Sequence, residues 1–508
     1  MAVADEQVPT AAQGGLRVAA IRGAGWSLLQ AWGGRLISTA VFFLLARLLV
    51  PADFGVVALA TIFVELGQMV MNRGFGATIV QREDLTDEDL DAVFWFSFGI
   101  GVAMTTISWL TAGLLAGAFG EPEFAPVFRV LSLNWVLGAF WSVPQNVLQR
   151  ELRFAGLAAR RLLAVSVSGT VAVVLALAGA GVWSLVAMAT VQSVVSIVVM
   201  WTASGWRPSW RFSLERIRAM RGFAARVVAI DVTRFFTLRG EGLVVGAVLG
   251  PVTLGYYAVA QRFLTLLRET FGSSIGQVAF PVFSRLQDDR ERRTRALRSV
   301  IRLSSVAAFP AFVGLAVLAP EVVEVLLGPT WEPSVVLVQL LCIAGLRASV
   351  TQFVSGVVVS TGDAALQLRT MLIGVAVKAV CLAIGVQFGV EGIAAAVAVS
   401  SWVTLPITFW ALRRKTDLTA RSFLRQTLEP AVAAAVMAVA ILACRSWLAE
   451  AVPAAAFLVV GIVVGGLAYL GTLMLIGRSV LDEARSNLRQ LGRRGAARGR
   501  GPEPAEAR

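Results

Sequence analysis

Eleven charged side chains lie deep inside segments that are otherwise apolar enough to cross a membrane: Arg35, Glu65, Asp231, Arg234, Arg239, Glu241, Arg262, Arg268, Glu269, Arg347 and Lys378. A charge near the centre of a spanning helix costs about 2.5–3.5 kcal/mol on insertion scales, so each needs a partner or a wet cavity. Seven are cations and four are carboxylates, which leaves a buried surplus of +3. Helical spacing groups them. Glu65, Gln68 and Asn72 share a face at i, i+3, i+7, Asp231, Arg234 and Glu241 share another, and Arg262 and Glu269 are seven apart. A guanidinium presents a planar fork of donors that suits phosphate oxygens, so Arg35, Arg234, Arg239 and Arg262 are candidate ligands for an anion. Glu65, Asp231, Glu241 and Glu269 allow two readings: titration coupled to an ion or proton, or internal ion pairs that pin helices together. Arg35 and Arg239 have no evident acid within their own helices, which favours a cavity-lining role for both.

The composition around these charges excludes several kinds of chemistry. The chain has 508 residues, 57% hydrophobic and only 15% charged, with a mean hydropathy of +0.74. Soluble chains run about 45–50% apolar and about 25% charged, so the solvent is a bilayer. Histidine is absent, which removes the commonest general base and metal ligand. The only lysines, Lys378 and Lys415, follow no glycine, so there is no GxxxxGK[ST] phosphate loop and no built-in ATPase. Cys342, Cys381 and Cys444 sit far apart in or beside apolar runs and read as small core residues. No cofactor or metal is expected. The net charge of +13 reads as membrane orientation rather than nucleic-acid binding.

Measured against the roughly 20 apolar residues a span requires, the chain offers fourteen candidates, the first near residue 24 and the last near 454. Its polar start lacks the pattern of a cleaved signal, so the first span is expected to direct its own insertion. Connections alternate in charge. Thirty-two of the 45 basic residues fall on one side, including Arg150, Arg153, Arg160 and Arg161, whereas Arg445 alone falls on the other. By the positive-inside rule the basic side, with both termini, is cytoplasmic, as in a multi-pass bacterial inner-membrane protein. Trp201, Trp206 and Trp210 read as anchors at the inner interface, and Trp183, Trp331 and Trp447 at the outer one. The acidic stretch from Gln81 to Asp91 reads as a solvated connector rather than a metal site. The segment from Ser479 to Arg494 alternates apolar and arginine positions, as a helix on anionic inner-leaflet lipids would. The outer connections are too short for the loops a polymerase or ligase would need.

An ungapped offset of 200 lays Leu48–Ala60 on Val248–Ala260. Pro51 and Gly55 then coincide with Pro251 and Gly255, and Phe63, Leu66 and Gly76 with Phe263, Leu266 and Gly276. The copies comprise spans 1 and 2 and spans 7 and 8; six helices apart, they point the same way, which gives two parallel six-helix lobes. The expected organisation is an all-α polytopic protein: a cytoplasmic segment 1–23, an N-lobe 24–205, a C-lobe 206–415 with an amphipathic lead-in, spans 13 and 14 in 416–478, and a basic tail 479–508.

With GPVTLGYYAVAQRF, PVFSRLQDD and PAFVGLAVLAPEVVEVLLGPTW in this setting, the chain resembles the Wzx-type polysaccharide-unit flippases, the polysaccharide transporter branch of the MATE/MOP flippase superfamily, over about residues 15–480. The resemblance implies two lobes in a V around a central cavity. It also implies a transporter, not an enzyme, that carries undecaprenyl-diphosphate-linked oligosaccharide to the outer leaflet by alternating access, with polymerase machinery acting next. In that family cavity cations bind the diphosphate, and Arg35, Arg239 and Arg262 occupy comparable places. The alternatives are a MATE-type ion-coupled exporter of small molecules and, further off, a membrane-embedded polymerase or ligase.

Overall fold

The structure, a computed structural model, describes residues 32–81, 86–210, 213–286, 289–448 and 452–476, with some side chains within those ranges excepted. The N-terminal segment, the start of the first span and the basic tail with its expected surface helix lie outside the described residues. The described chain is helical: α1 (32–48), α2 Pro51–Gln81, α3 Asp87–Phe119, α4 Phe124–Arg150, α5 Phe154–Leu177, α6 Val182–Ser204, α7 Leu214–Leu249, α8 Pro251–Arg285 and α9 Arg290–Val317 come first. They are followed by α10 Ala319–Leu326, α11 Ser334–Thr351, α12 Phe353–Ser360, α13 Ala364–Gly385, α14 Gly389–Val403, α15 Leu405–Lys415, α16 Ala420–Leu448 and α17 Ala454–Ile476.

Ten segments among the described residues are long and apolar enough to cross a membrane. One of them, Ala365–Lys415, runs 51 residues, about twice the length a single crossing needs, and is broken at Gly389, whose φ of 71° only glycine adopts readily. Helices α7 and α8 are not among the ten. Between them they carry seven of the eleven deep charges, and their lengths of 36 and 35 residues suffice for a crossing.

The duplicated turn has a physical signature. A Cβ on Gly55 would overlap the carbonyl oxygen of Pro251, and a Cβ on Gly255 would overlap that of Pro51. The beginnings of α2 and α8 therefore cross in backbone contact, each glycine seated on the other copy's proline, as small residues permit in membrane helices. Trp331 closes this crossing. Although expected at the outer interface, it is 1% exposed: its Nε1 donates to Ala46 O at 2.7 Å, and its ring meets Phe54 and Tyr256 edge-on at 5.4 and 6.0 Å. An indole with a buried acceptor gains more from that site than from an interface.

In the acidic connector residues 82–85 lie outside the described residues, and Thr86, Asp87 and Glu88 are exposed as a solvated stretch would be, but its end is not. Thr86 and Asp89 form a reciprocal capping box at the start of α3, and Asp91 Oδ1 accepts from the Ser209 amide at 2.9 Å, so Asp89 and Asp91 are buried. Trp95 adds a hydrogen bond to Ser209 O at 2.8 Å and stacks on Trp210, which ties the segment after α6 to the start of α3.

Two compact units result. The first holds Met1–Val259, Leu326–Ser334 and Leu382–Ile393, and both copies of the duplicated turn fall within it. Its core includes an aromatic column of Phe63, Phe119, Phe124, Phe128 and Trp135. The second holds Ala260–Val325, Val335–Cys381 and Ala394–Arg508. In it Leu318, Met437, Ile441, Phe457 and Tyr469 pack together where α16 and α17 meet, and Tyr469 donates to Val306 O of α9 at 2.8 Å.

Candidate functional site

The charges of the first unit are positioned by glycine and indole. Gly242 and Gly246 of α7 face Ile62 and Leu59 of α2, where a Cβ would come within 3.2 and 2.8 Å of those side chains, so the two helices run close together. One turn away, Arg239 Nη2 meets Glu65 Oε1 at 2.9 Å. On the other flank of α2, Trp135 Nε1 donates to Val64 O at 2.8 Å, and its ring fills the space beside Gly67. The backbone of α2 beside Glu65 is thus held by α4, and the Glu65 carboxylate by a guanidinium of α7. The side chains are 52% and 36% exposed, and so open a pair contributes about 0–1 kcal/mol in water. Arg239 gains from the fold the acid its own helix did not supply.

The remaining candidates are spread more widely. Arg35 is half-buried, its guanidinium carbon 5.3 Å from the Trp32 ring centroid. Asp231 is half-buried and Glu241 is 6% exposed, both on α7 in the first unit. The side chain of Arg234 lies outside the described residues. Arg262, half-buried, and Glu269, exposed, belong to the second unit. Among the eight candidate residues, Glu65 and Arg239 are joined directly by the ion pair just described.

Arginines elsewhere fall into two groups. Arg302 pairs with Glu429 at 3.0 Å, linking α9 and α16, and Arg445 pairs with Glu321 at 2.7 Å while also donating to Val317 O at 2.6 Å. The basic residue assigned to the outer side is therefore neutralised locally. Arg347 of α11 has no carboxylate partner among the described residues: its Nη2 donates to Thr408 Oγ1 at 2.9 Å, and its buried Nε makes no hydrogen bond. Arg160 of α5 is another, with its buried Nε unsatisfied against the Trp141 ring. A buried polar group left unpaired costs about 1–3 kcal/mol, so these positions are expensive unless something visits them. Sequence reasoning assigned Arg160 to the cytoplasmic charge count; the signal it passed over is that Arg160 and Arg161 sit two turns inside an apolar helix. No cluster of potential metal ligands occurs among the described residues. Guanidiniums without carboxylates can hold a polyanion, and a paired Glu–Arg can exchange its partner for one.

Comparison with known proteins bears on the family of the chain. Residues 44–336 match a family model described as "Polysaccharide biosynthesis protein". The chain is 28% identical over 484 residues to the succinoglycan biosynthesis transport protein ExoT of Rhizobium meliloti (strain 1021), covering 94% of this chain and 98% of the relative. It is 26% identical over 344 residues to the lipopolysaccharide biosynthesis protein WzxC of Escherichia coli (strain K12), 66% of this chain and 68% of the relative. Among solved structures, the lipid II flippase MurJ in its inward closed conformation superposes with a TM-score of 0.73 at 13% identity, covering 90% of this chain and 99% of that one. A multidrug resistance MATE family transporter of the MOP superfamily, inward-facing, gives 0.60 at 17% identity over 75% and 94%. The two structural likenesses establish a shared all-helical polytopic fold.

Proposed function

Because the chain belongs to the polysaccharide biosynthesis protein family and is a multi-pass inner-membrane protein, we propose that it flips an undecaprenyl-diphosphate-linked oligosaccharide from the inner to the outer leaflet for surface polysaccharide assembly. The observation that carries this reading is a surplus of guanidiniums inside apolar helices, in a chain that aligns over nearly its whole length with a polysaccharide transport protein. A carrier of cations would need the opposite surplus.

In this reading fourteen spans form two lobes, residues 24–205 and 206–415, which alternate access to the two faces while the prenyl tail stays in lipid. Both termini are cytoplasmic. Arg35, Arg234, Arg239 and Arg262 receive the diphosphate and neighbouring sugar. Arg239 is already engaged by Glu65, so the arriving phosphate competes with that carboxylate, and Glu65 is a candidate for ion or proton coupling. Asp231, Glu241 and Glu269 are further candidates for such coupling. A passenger of charge −2 leaving an inside-negative cell gains about 4.6 kcal/mol per 100 mV, less whatever the bound arginines neutralise. The partners are the lipid-linked oligosaccharide, anionic inner-leaflet lipids and the polymerase machinery that uses the product.

The test is the lipid fraction of a deletion strain. A complete lipid-linked oligosaccharide that accumulates in the inner leaflet supports the reading. Normal surface polysaccharide combined with new sensitivity to cationic drugs would overturn it in favour of an ion-coupled exporter, which the likeness to a MATE transporter keeps as the second reading.

A further inference from the structure

The first unit holds a cavity of about 480 Å³ that none of the eleven deep charges lines. Its walls are the start of α3, the end of α4 and the chain that follows α6, among the basic connections that the charge pattern assigns to the cytoplasm. Small-molecule sites occupy about 300–1,000 Å³, so the size is that of a binding pocket. The walls are fastened before any guest arrives. Ser209 donates its amide to Asp91 Oδ1 at 2.9 Å, and Arg207 Nη1 donates to Trp201 O and Trp206 O at 2.6 and 2.8 Å. Arg150 Nη1 donates to Ile79 O, in the last turn of α2, at 3.1 Å. Asp91 is 2% exposed and lines the cavity, and its Oδ2 has no partner among the described residues and is not sealed from solvent. Water can serve that oxygen; the make-up of the walls says what displaces the water.

Those walls offer both kinds of hydrogen-bond partner. Asp87, Asp91 and Glu151 accept, Arg150 and Arg207 donate, and Arg207 spends only Nη1 on its own loop. The Trp206 indole adds a flat apolar surface, braced edge-on by the Phe94 ring at 6.0 Å. Three carboxylates repel a phosphate, and two guanidiniums oppose a purely cationic guest. A hydroxyl donates and accepts at once, so a polyhydroxyl compound satisfies both sets, and the C–H face of a pyranose ring covers an indole. We propose that this pocket binds neutral sugar residues. The owner of those sugars rests on the transport reading above: the pocket holds the glycan of the lipid-linked oligosaccharide at the cytoplasmic face, on side chains other than the arginines assigned to the diphosphate. A carrier equipped in this way tests the glycan of its cargo, which binding the diphosphate alone does not do. Trp206, expected as an interface anchor, is in this assignment the platform for a sugar ring.

The full chain is purified in a polyoxyethylene detergent, because a maltoside headgroup would itself compete. Short oligosaccharides released from the cell's own surface polysaccharide by partial acid hydrolysis are titrated in, and binding is followed by saturation-transfer NMR and tryptophan fluorescence. Saturable binding is expected. Asp91→Asn keeps an acceptor for the Ser209 amide and exchanges Oδ2 for a donor; it should weaken binding about tenfold, the loss expected for a hydrogen bond to a charged group. Trp206→Leu removes the platform and should weaken binding about threefold or more. Asp87→Asn, at an exposed side chain, should have a smaller effect and supplies the measurement if Asp91→Asn does not fold. No saturable binding, or binding that all three folded variants leave unchanged, overturns the assignment. A synthetic peptide of the arginine-rich residues 479–508 that binds in an Asp91-dependent way while the oligosaccharides do not would overturn it in favour of a basic segment as the occupant. The transport reading fails on a different result, a deletion strain that accumulates no lipid-linked intermediate, whatever the purified protein binds.

Discussion

The two copies of the duplicated segment agree in one respect and differ in another. Pro51 and Gly55 recur as Pro251 and Gly255, and each glycine presses on the other copy's proline carbonyl. The charges do not recur. At the same offset Arg35 faces Phe235, Glu65 faces Thr265, Arg239 faces Thr39 and Arg262 faces Ile62. A reciprocal backbone contact must be kept on both sides, since either glycine alone would be useless, whereas a polar lining is needed only where an ion or headgroup passes. The symmetric residues make the scaffold, and the asymmetric ones are where function is to be sought.

The severest way to break this equivalence is Gly55→Val or Gly255→Val. Each places side-chain atoms on a backbone carbonyl that cannot swing away as a flexible side chain could, so each should destabilise the protein by about 3 kcal/mol or more. Thermal melting of the detergent-solubilised protein should show similar losses for the two. If one variant is tolerated and the other is not, the crossing is not equivalent in its two halves. Next come the asymmetric positions. Arg35→Ala and Arg239→Ala should leave the melting temperature nearly unchanged yet slow glycan export about tenfold or more, the loss of a charge-assisted bond to the passenger. Normal export with either variant removes that residue from the cavity.

The same contrast explains what was legible in the sequence. The duplicated turn was readable because proline and glycine each have few structural uses, so their recurrence at offset 200 survives in a chain rich in alanine and leucine. The helical, membrane-crossing character was readable from hydropathy, and the cations of α7 and α8 stood out against it. The partner of Arg239 was not readable, because Glu65 is 174 residues away and only helix packing brings the two within 2.9 Å. Trp331 was misplaced for the same reason: an indole near a span end looks alike whether it meets lipid or caps a crossing. The capping box at Thr86 and Asp89 was legible as T-x-x-D and was passed over in favour of the overall acidity of the stretch.

A smaller effect tests whether Glu65 and Arg239 form a lock or only an exposed contact. In a double-mutant cycle with Glu65→Gln and Arg239→Gln, the coupling energy should be about 0.2–1 kcal/mol, as for other solvent-accessible pairs. If the pair instead trades partners with a phosphate, Glu65→Gln should tighten binding of undecaprenyl diphosphate, since the competing negative charge beside Arg239 is gone. Weaker binding in that variant would make the carboxylate part of the substrate site rather than a competitor.

The smallest expected effect lies outside the duplicated segments, at the turn before α13. Asp363 Oδ1 accepts from the Leu366 amide at 2.9 Å and its Oδ2 meets Lys415 Nζ at 2.8 Å. The Lys415 ammonium, first through its hydrogen bond, and then the Leu366 amide hold this carboxyl below the usual carboxylate range. A carboxyl depressed in the folded state and ordinary in the unfolded one, at about 3.9, adds stability that is complete above that value. The contribution fades as pH falls through the depressed folded value, because the proton then binds both states alike. Asp363→Asn should therefore lower the melting temperature slightly at pH 7 and less at pH 3, while the two glycine variants should lose as much at either pH. A deficit for Asp363→Asn that grows as pH falls would show that the turn depends on the neutral acid, and would remove the ion pair to Lys415 as its stabilising contact.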